Sequence, residues 1–143
     1  MPYRYLEDIA TADVAFSASG NTLEEMFISA ADALMNTMVN DLAAIRPETM
    51  IPVDLRHEEP DLLLYTFLNE FIYYKDARSL LLRVDKLDIS FDDGGYHLTG
   101  QLTGEAINPL QHRLLVDIKA VTLHLLRAEK NDEGWEALVV VDV

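Results

Sequence analysis

The 143-residue chain is the size of one ordinary domain, half apolar and a quarter charged, a balance that predicts a packed core and no long disordered stretch. It carries 25 acidic residues against 11 basic ones, a formal charge of −14, and the cations are scattered singly. Nucleic-acid affinity is largely phosphate neutralisation by Lys and Arg, so direct nucleic-acid binding is not expected, whereas metal cations or a basic protein surface are suitable partners. The lack of cysteine excludes disulfides, thiolate metal ligation and a cysteine nucleophile.

The chain opens on MPYRYLEDIATADVAF, without the basic, apolar and small-residue succession of a signal peptide. No apolar run approaches the roughly 20 residues that span a bilayer. A cytoplasmic protein with no membrane role is therefore expected. A first strand covers Asp13 to Ala18. Thr22-Leu-Glu-Glu25 reads as a capping box, and Leu23, Met26, Phe27, Ala30, Ala31, Leu34 and Met38 recur at helical spacing, predicting a helix from about Thr22 to about Asn40. Alternation from Met50 to Arg56 predicts a strand, with Pro52 pointing to a sheet edge. Pro60 suits the first position of a second helix, whose apolar stripe is Leu64, Phe67, Leu68, Phe71 and Ile72, with Asn69 and Glu70 on its polar side.

Leu87 to Asp92 and Tyr96 to Thr103 alternate around Asp93-Gly94-Gly95, the pattern of a hairpin. A second hairpin is expected to pair Val116–Glu129 with Trp135–Val143 around Lys130–Gly134. No linker or repeat interrupts the chain, so residues 1–143 are read as one domain. The fold class is α+β, with two helices packed on one face of a mostly antiparallel sheet.

The GxxxxGK, GxGxxG, HExxH and GxSxG motifs are absent from the sequence, so nucleotide binding and hydrolysis by those routes are unsupported. Three features stand out. Asp13 sits at the mouth of a short apolar strand, Asp142 interrupts the apolar run at the end of the chain, and His112-Arg113 precedes Lys119-Ala-Val-Thr122 and His124. Aspartates at strand ends are common turn and cap residues. Two of them with a terminal carboxylate also suit a hard cation such as Ca²⁺, Mg²⁺ or Mn²⁺. Lys119 is one of four lysines and falls inside a strand pattern, where it can pair with a carboxylate or contact a phosphate.

These residues carry a resemblance to a known family. Tyr5-Leu-Glu, Thr11-Ala-Asp13, Leu23-Glu-Glu-Met-Phe, Leu68-Asn-Glu70, Gly104-Glu105 leading to His112-Arg113, Lys119-Ala-Val-Thr-Leu-His124, Trp135 and the ending Val-Val-Asp142-Val143 follow one another as in archeases, across essentially the whole length. The resemblance implies a non-enzymatic cofactor of an RtcB-type RNA ligase, which joins tRNA halves using GTP and divalent metal. Such a cofactor promotes guanylylation of the ligase and repeated turnover. It further implies a metal site on Asp13 and Asp142, with the terminal carboxylate of Val143 as a third ligand, and a partner or phosphate contact through Lys119 and His112. Two departures are visible. Ala10 stands where many members carry histidine, which removes an imidazole near the site, and Phe67 replaces the tryptophan before Leu-Asn-Glu. A chaperone-like modulator of RNA-modifying enzymes, such as a tRNA methyltransferase, is the alternative. A small metal-dependent hydrolase ranks last, because two-metal catalysis needs more ligands and a cleft.

Overall fold

The computed structural model describes residues 2–7 and 13–143. Strands β1 (Tyr3–Leu6) and β2 (Val14–Gly20) lead into helix α1 (Leu23–Met38). A single 3₁₀ turn, Leu42–Ala44, then precedes β3 (Thr49–His57) and helix α2 (Pro60–Arg78). Strands β4 (Leu80–Asp92), β5 (Gly95–Ala106), β6 (Ala120–Val121), β7 (Arg127–Asn131) and β8 (Gly134–Asp142) complete the order. Among the described residues every strand pairing is antiparallel.

The strands form two sheets rather than the single sheet expected. One has the order β1-β2-β8, with β6 and β7 sharing the far edge of β8; the other is β3-β5-β4. Helix α1 packs on β1, β2 and β8 of the first and on β4 of the second, while α2 packs on β3, β4 and β5 and on β6 and β7. The helices therefore lie between the sheets. A helix covered from two sides needs more than one apolar stripe. Ser29, Ala33 and Met35 of α1 are buried in addition to the predicted face, and the alanines admit close approach from both directions. Phe67 is fully buried between two other core aromatics, its ring centroid 5.6 Å from Phe27 and 5.2 Å from Phe71.

Local signals hold well. Thr22 caps α1, its Oγ1 accepting from the Glu25 amide at 3.1 Å. The return bond of the capping box is shifted by one residue, with the Glu25 carboxylate accepting from the Asn21 amide at 2.8 Å. Pro60 opens α2, and Pro52 lies in β3, an edge strand. The second hairpin departs from expectation. Of residues 116–131, only Ala120–Val121 and Arg127–Asn131 pair with β8. The Thr122 hydroxyl accepts from the His124 amide at 3.3 Å, and Leu125 takes φ +56°. This local turn lifts Leu123 to Leu126 off the sheet edge. Lys119 accordingly lies just before a two-residue strand, not within a long one.

Candidate functional site

Strands β2 and β8 are neighbours, and their register ends at Val14 opposite Val141. Continuing it by one residue places Asp13 opposite Asp142. Val139 and Val141 of β8 join the core with Phe16, so alternation along the strand turns Asp142 to the other face of the sheet. Both aspartates are exposed. On the other side of β8, Ala120 pairs with Asp142, and the Lys119 amide donates to the Asp142 carbonyl oxygen at 2.8 Å. Three distant stretches of sequence thus meet at one end of the five-stranded sheet: Asp13, the Lys119 segment, and Asp142 with Val143. Ala10, Thr11 and Ala12 lie outside the described residues.

Like charges directly opposite on neighbouring strands repel. Among the described residues neither aspartate takes part in an ion pair. The donors gathered here are all oxygen, which fits a hard divalent cation. Among the described residues no three or more His, Asp or Glu converge. Two carboxylates and the main-chain oxygen of Val143 leave most of the shell of such an ion, about six to eight oxygens for Ca²⁺, to ligands from elsewhere. A hollow of about 680 Å³ lies along β1 and β2, lined by Arg4, Ser17, Glu136 and their neighbours, and its lining contains neither aspartate.

His112, which the resemblance implies as a partner or phosphate contact, lies in the interior. Its side chain is fully buried, and both ring nitrogens are engaged: Nδ1 accepts from the Asn108 amide at 2.9 Å, and Nε2 lies 3.0 Å from Glu105 Oε2. Because Nδ1 accepts, the ring hydrogen is on Nε2 and is donated to Glu105. Glu105 Oε2 also accepts from the Arg46 amide at 2.7 Å and from Gln111 Nε2 at 2.8 Å. With its ring inside the protein, His112 cannot touch a partner or a phosphate in this conformation. It fastens residues 105–112 to the loop before β3.

This cluster has a pH signature. The Arg46 amide holds the Glu105 carboxyl below its ordinary value of 4.5; burial opposes this, and the bond from His112 adds to it. A carboxylate depressed in the folded state contributes stability above its unfolded value and loses it as pH falls through the folded value. Thermal melts from pH 7 down to pH 3 are expected to show a shallower acid decline for Glu105→Gln than for the unmodified chain, with the two curves converging at the acid end. Parallel curves would remove Glu105 as a source of acid lability.

A second buried polar contact escapes sequence reading. Lys75 of α2 lies in the core, its Nζ 2.7 Å from Asp76 and 2.5 Å from Asp117. Burial alone lowers an ammonium's pKa, but the two carboxylates outweigh it and the net shift is upward. Lys75 continues the buried spacing of Leu64, Leu68, Phe71 and Ile72, and a lysine at a core position requires acidic partners. Asn69 and Glu70 are half-buried rather than fully on a wet face. Asn69 Nδ2 donates to the Tyr65 carbonyl at 3.0 Å, and burial raises the Glu70 pKa.

Comparison with known proteins covers the whole of this arrangement. The sequence profile of the archease protein family (MTH1598/TM1083) matches residues 3–143. The chain is 37% identical to protein archease of Methanosarcina acetivorans, over 99% of this chain and 95% of that one. It is 35% identical to protein archease of Pyrococcus furiosus, over 93% and 94% respectively. The solution structure of Methanobacterium thermoautotrophicum protein 1598 superposes with a TM-score of 0.84 at 31% identity, covering 99% of both chains.

Proposed function

Since this chain belongs to the archease family, we propose that it is a non-catalytic activator of an RtcB-type tRNA-splicing RNA ligase, promoting guanylylation of the ligase and its repeated turnover. The observation that carries this reading is the register that sets Asp13 against Asp142, with Lys119 tied to the Asp142 carbonyl. The aspartates and the Val143 main-chain oxygen would hold a divalent cation, Ca²⁺, Mn²⁺ or Mg²⁺, which supplies positive charge beside the phosphates of the ligase's nucleotide. Asp142 ends β8 and Asp13 immediately precedes β2, so the pairing of those two strands would set their spacing. Lys119, exposed next to them, is placed to meet a phosphate oxygen or a carboxylate of the partner. The incomplete ligand set suits a shared site better than a self-contained catalytic one.

A charge of −14 favours docking on a basic, RNA-handling enzyme while keeping the protein off the RNA itself. Among the described residues no helix is long and apolar enough to cross a membrane, and the proposed place of action is the cytoplasm, where tRNA processing enzymes are available. Multiple-turnover ligation by an RtcB-type ligase, with GTP and Mn²⁺, is expected to rise on adding the protein and to return to its basal rate with Asp142→Ala. No rise with a matched ligase would reject this function. The exposed apolar side chains of Leu114 and Leu115 also suit a chaperone-like binder of RNA-modifying enzymes. Equal stimulation of an unrelated tRNA methyltransferase in the same experiment would favour that second reading.

A further inference from the structure

Residues 108–119 form an arm without regular structure that is nevertheless fixed along its length. At its start, Gln111 Nε2 donates to the Ala44 carbonyl at 3.1 Å, and the Glu105–His112 pair holds the first turn. In the middle, the Asn40 amide donates to the Arg113 carbonyl at 2.9 Å, the Leu115 amide donates to the Met38 carbonyl at 2.8 Å, and Leu114 bridges Val39. At its end, Asp117 is paired with Lys75, Ile118 is fully buried, and the Lys119 amide is bonded to Asp142.

This anchored arm points large apolar side chains at solvent. Leu110 is 99% exposed, Leu115 49%, Leu114 45% and Val116 44%. An apolar run of this kind, held in place rather than tucked in, marks an interaction surface more often than a packing accident. Beneath it a hollow of about 250 Å³, lined by Met38, Leu81, Ile107, the Lys75–Asp117 pair and the arm itself, can receive an apolar side chain. Because the arm is already ordered, docking on it loses little conformational entropy.

We infer that Leu114, Leu115 and Val116 form the docking strip through which this chain seats on its partner, and that the partner is the ligase, presenting an apolar socket rimmed by Lys and Arg. The inference rests on the activator function proposed above. Two observations select this occupant. The strip runs directly into Lys119 and Asp142, and Thr37, whose carbonyl faces the Val116 amide, lies 3.5 Å from the Tyr5 hydroxyl of β1, so strip and carboxylates belong to one end of the molecule. A chain charged −14 repels a second copy of itself, a nucleic acid and an anionic membrane alike, and attracts a cationic protein.

The test compares the unmodified protein, Leu115→Ser/Val116→Ser and Asp142→Ala against a purified RtcB-type ligase, reading both binding by calorimetry and stimulation of ligation. The strip variant is expected to bind at least tenfold more weakly and to need correspondingly more protein for half-maximal stimulation, with the maximum retained. Asp142→Ala, which keeps the strip, is expected to stimulate nothing even at concentrations that saturate the ligase. As a second pair, Leu115→Lys must bind more weakly than Leu115→Asp, since only the lysine opposes a cationic rim. Stimulation by the unmodified protein with an unchanged half-maximal concentration for the strip variant would overturn the strip and leave the activator function standing. Absence of binding and stimulation by the unmodified protein would overturn both. A self-associating protein that the strip variant makes monomeric in sedimentation would assign the strip to a second copy instead.

Discussion

Asp142→Asn is expected to change sign in its effect on stability with the addition of a divalent cation. Continued one residue past Val14–Val141, the register brings Asp13, just before β2, opposite Asp142 of β8, and two like charges so placed disfavour the fold by about 0.2–1 kcal/mol. Without metal, the amide relieves that repulsion, so the variant should melt at the same temperature as the unmodified chain or slightly above it. With metal, the unmodified chain gains the free energy of binding to the folded state alone, about 2.7 kcal/mol at a hundred times Kd. For a chain of this length that corresponds to a rise of roughly 8 °C, and the variant, lacking one of two side-chain ligands, should show little of it. Asp13→Asn should behave in the same way, because among the described residues no third acidic side chain joins the pair. Titrating Ca²⁺, Mn²⁺ and Mg²⁺ in parallel melts reads the crossing and ranks the ions. Equal metal-induced shifts in the unmodified chain and both variants would place any metal elsewhere. Melting needs no ligase, so the metal site stands or falls independently of the activator function.

The reason this pair could be suspected but not located from sequence lies in the distance along the chain. Asp13 and Asp142 meet only because β2 and β8 are neighbours, and no local pattern near either residue encodes that adjacency. Features written within a few residues were legible: the Thr22 cap, the Pro60 helix start, the edge position of Pro52, and the turn at Asp93-Gly94-Gly95. The resemblance to archeases singled out Asp13 and Asp142 as candidate metal ligands, and the register brings these two positions together. The division into two sheets was not legible, because alternation reports that a strand has one buried face and not which layer covers it. The alanines at 30, 31 and 33 of α1 were the available hint, since a helix between two layers needs small residues on more than one side. The burial of His112 is hidden from the sequence for a related reason. A histidine beside an arginine in a loop reads as exposed, and only the carboxylate seven residues earlier, folded back under the arm, makes its burial tolerable. Lys75 sits in plain view on a buried stripe, but its partner Asp117 is 42 residues away.

Gly104→Ala is expected to be the most damaging single-methyl change in the second sheet, and Gly94→Ala among the mildest. Gly104 sits in β5, the central strand, paired with Thr49 of β3 and Leu82 of β4. A Cβ built there overlaps the Leu81 carbonyl oxygen and falls 2.8 Å from the Leu81 carbonyl carbon and 2.9 Å from Leu82 Cα. These are backbone atoms of a neighbouring strand, so no side-chain rotation relieves the clash. Strand β4 would have to move, and Leu81 and Leu82 are both buried in the core. The loss is expected to be about 3 kcal/mol or more, at the upper end for overpacking, and to lower the melting temperature by roughly 10 °C. At Gly94, in the β4–β5 turn, the nearest atom to an added Cβ is the Asp92 side-chain oxygen at 3.4 Å, and a change within about 0.5 kcal/mol is expected. The damage at Gly104 should also reach the arm, because Glu105 is the next residue and its carboxylate holds the Arg46 amide and His112. Hydrogen exchange of the His112 and Leu115 amides, bonded to Asn108 and Met38, should therefore accelerate in Gly104→Ala and not in Gly94→Ala. Equal stability of the two variants would show that β4 and β5 can separate without strain, and the close approach of their backbones would then not be what requires glycine at 104.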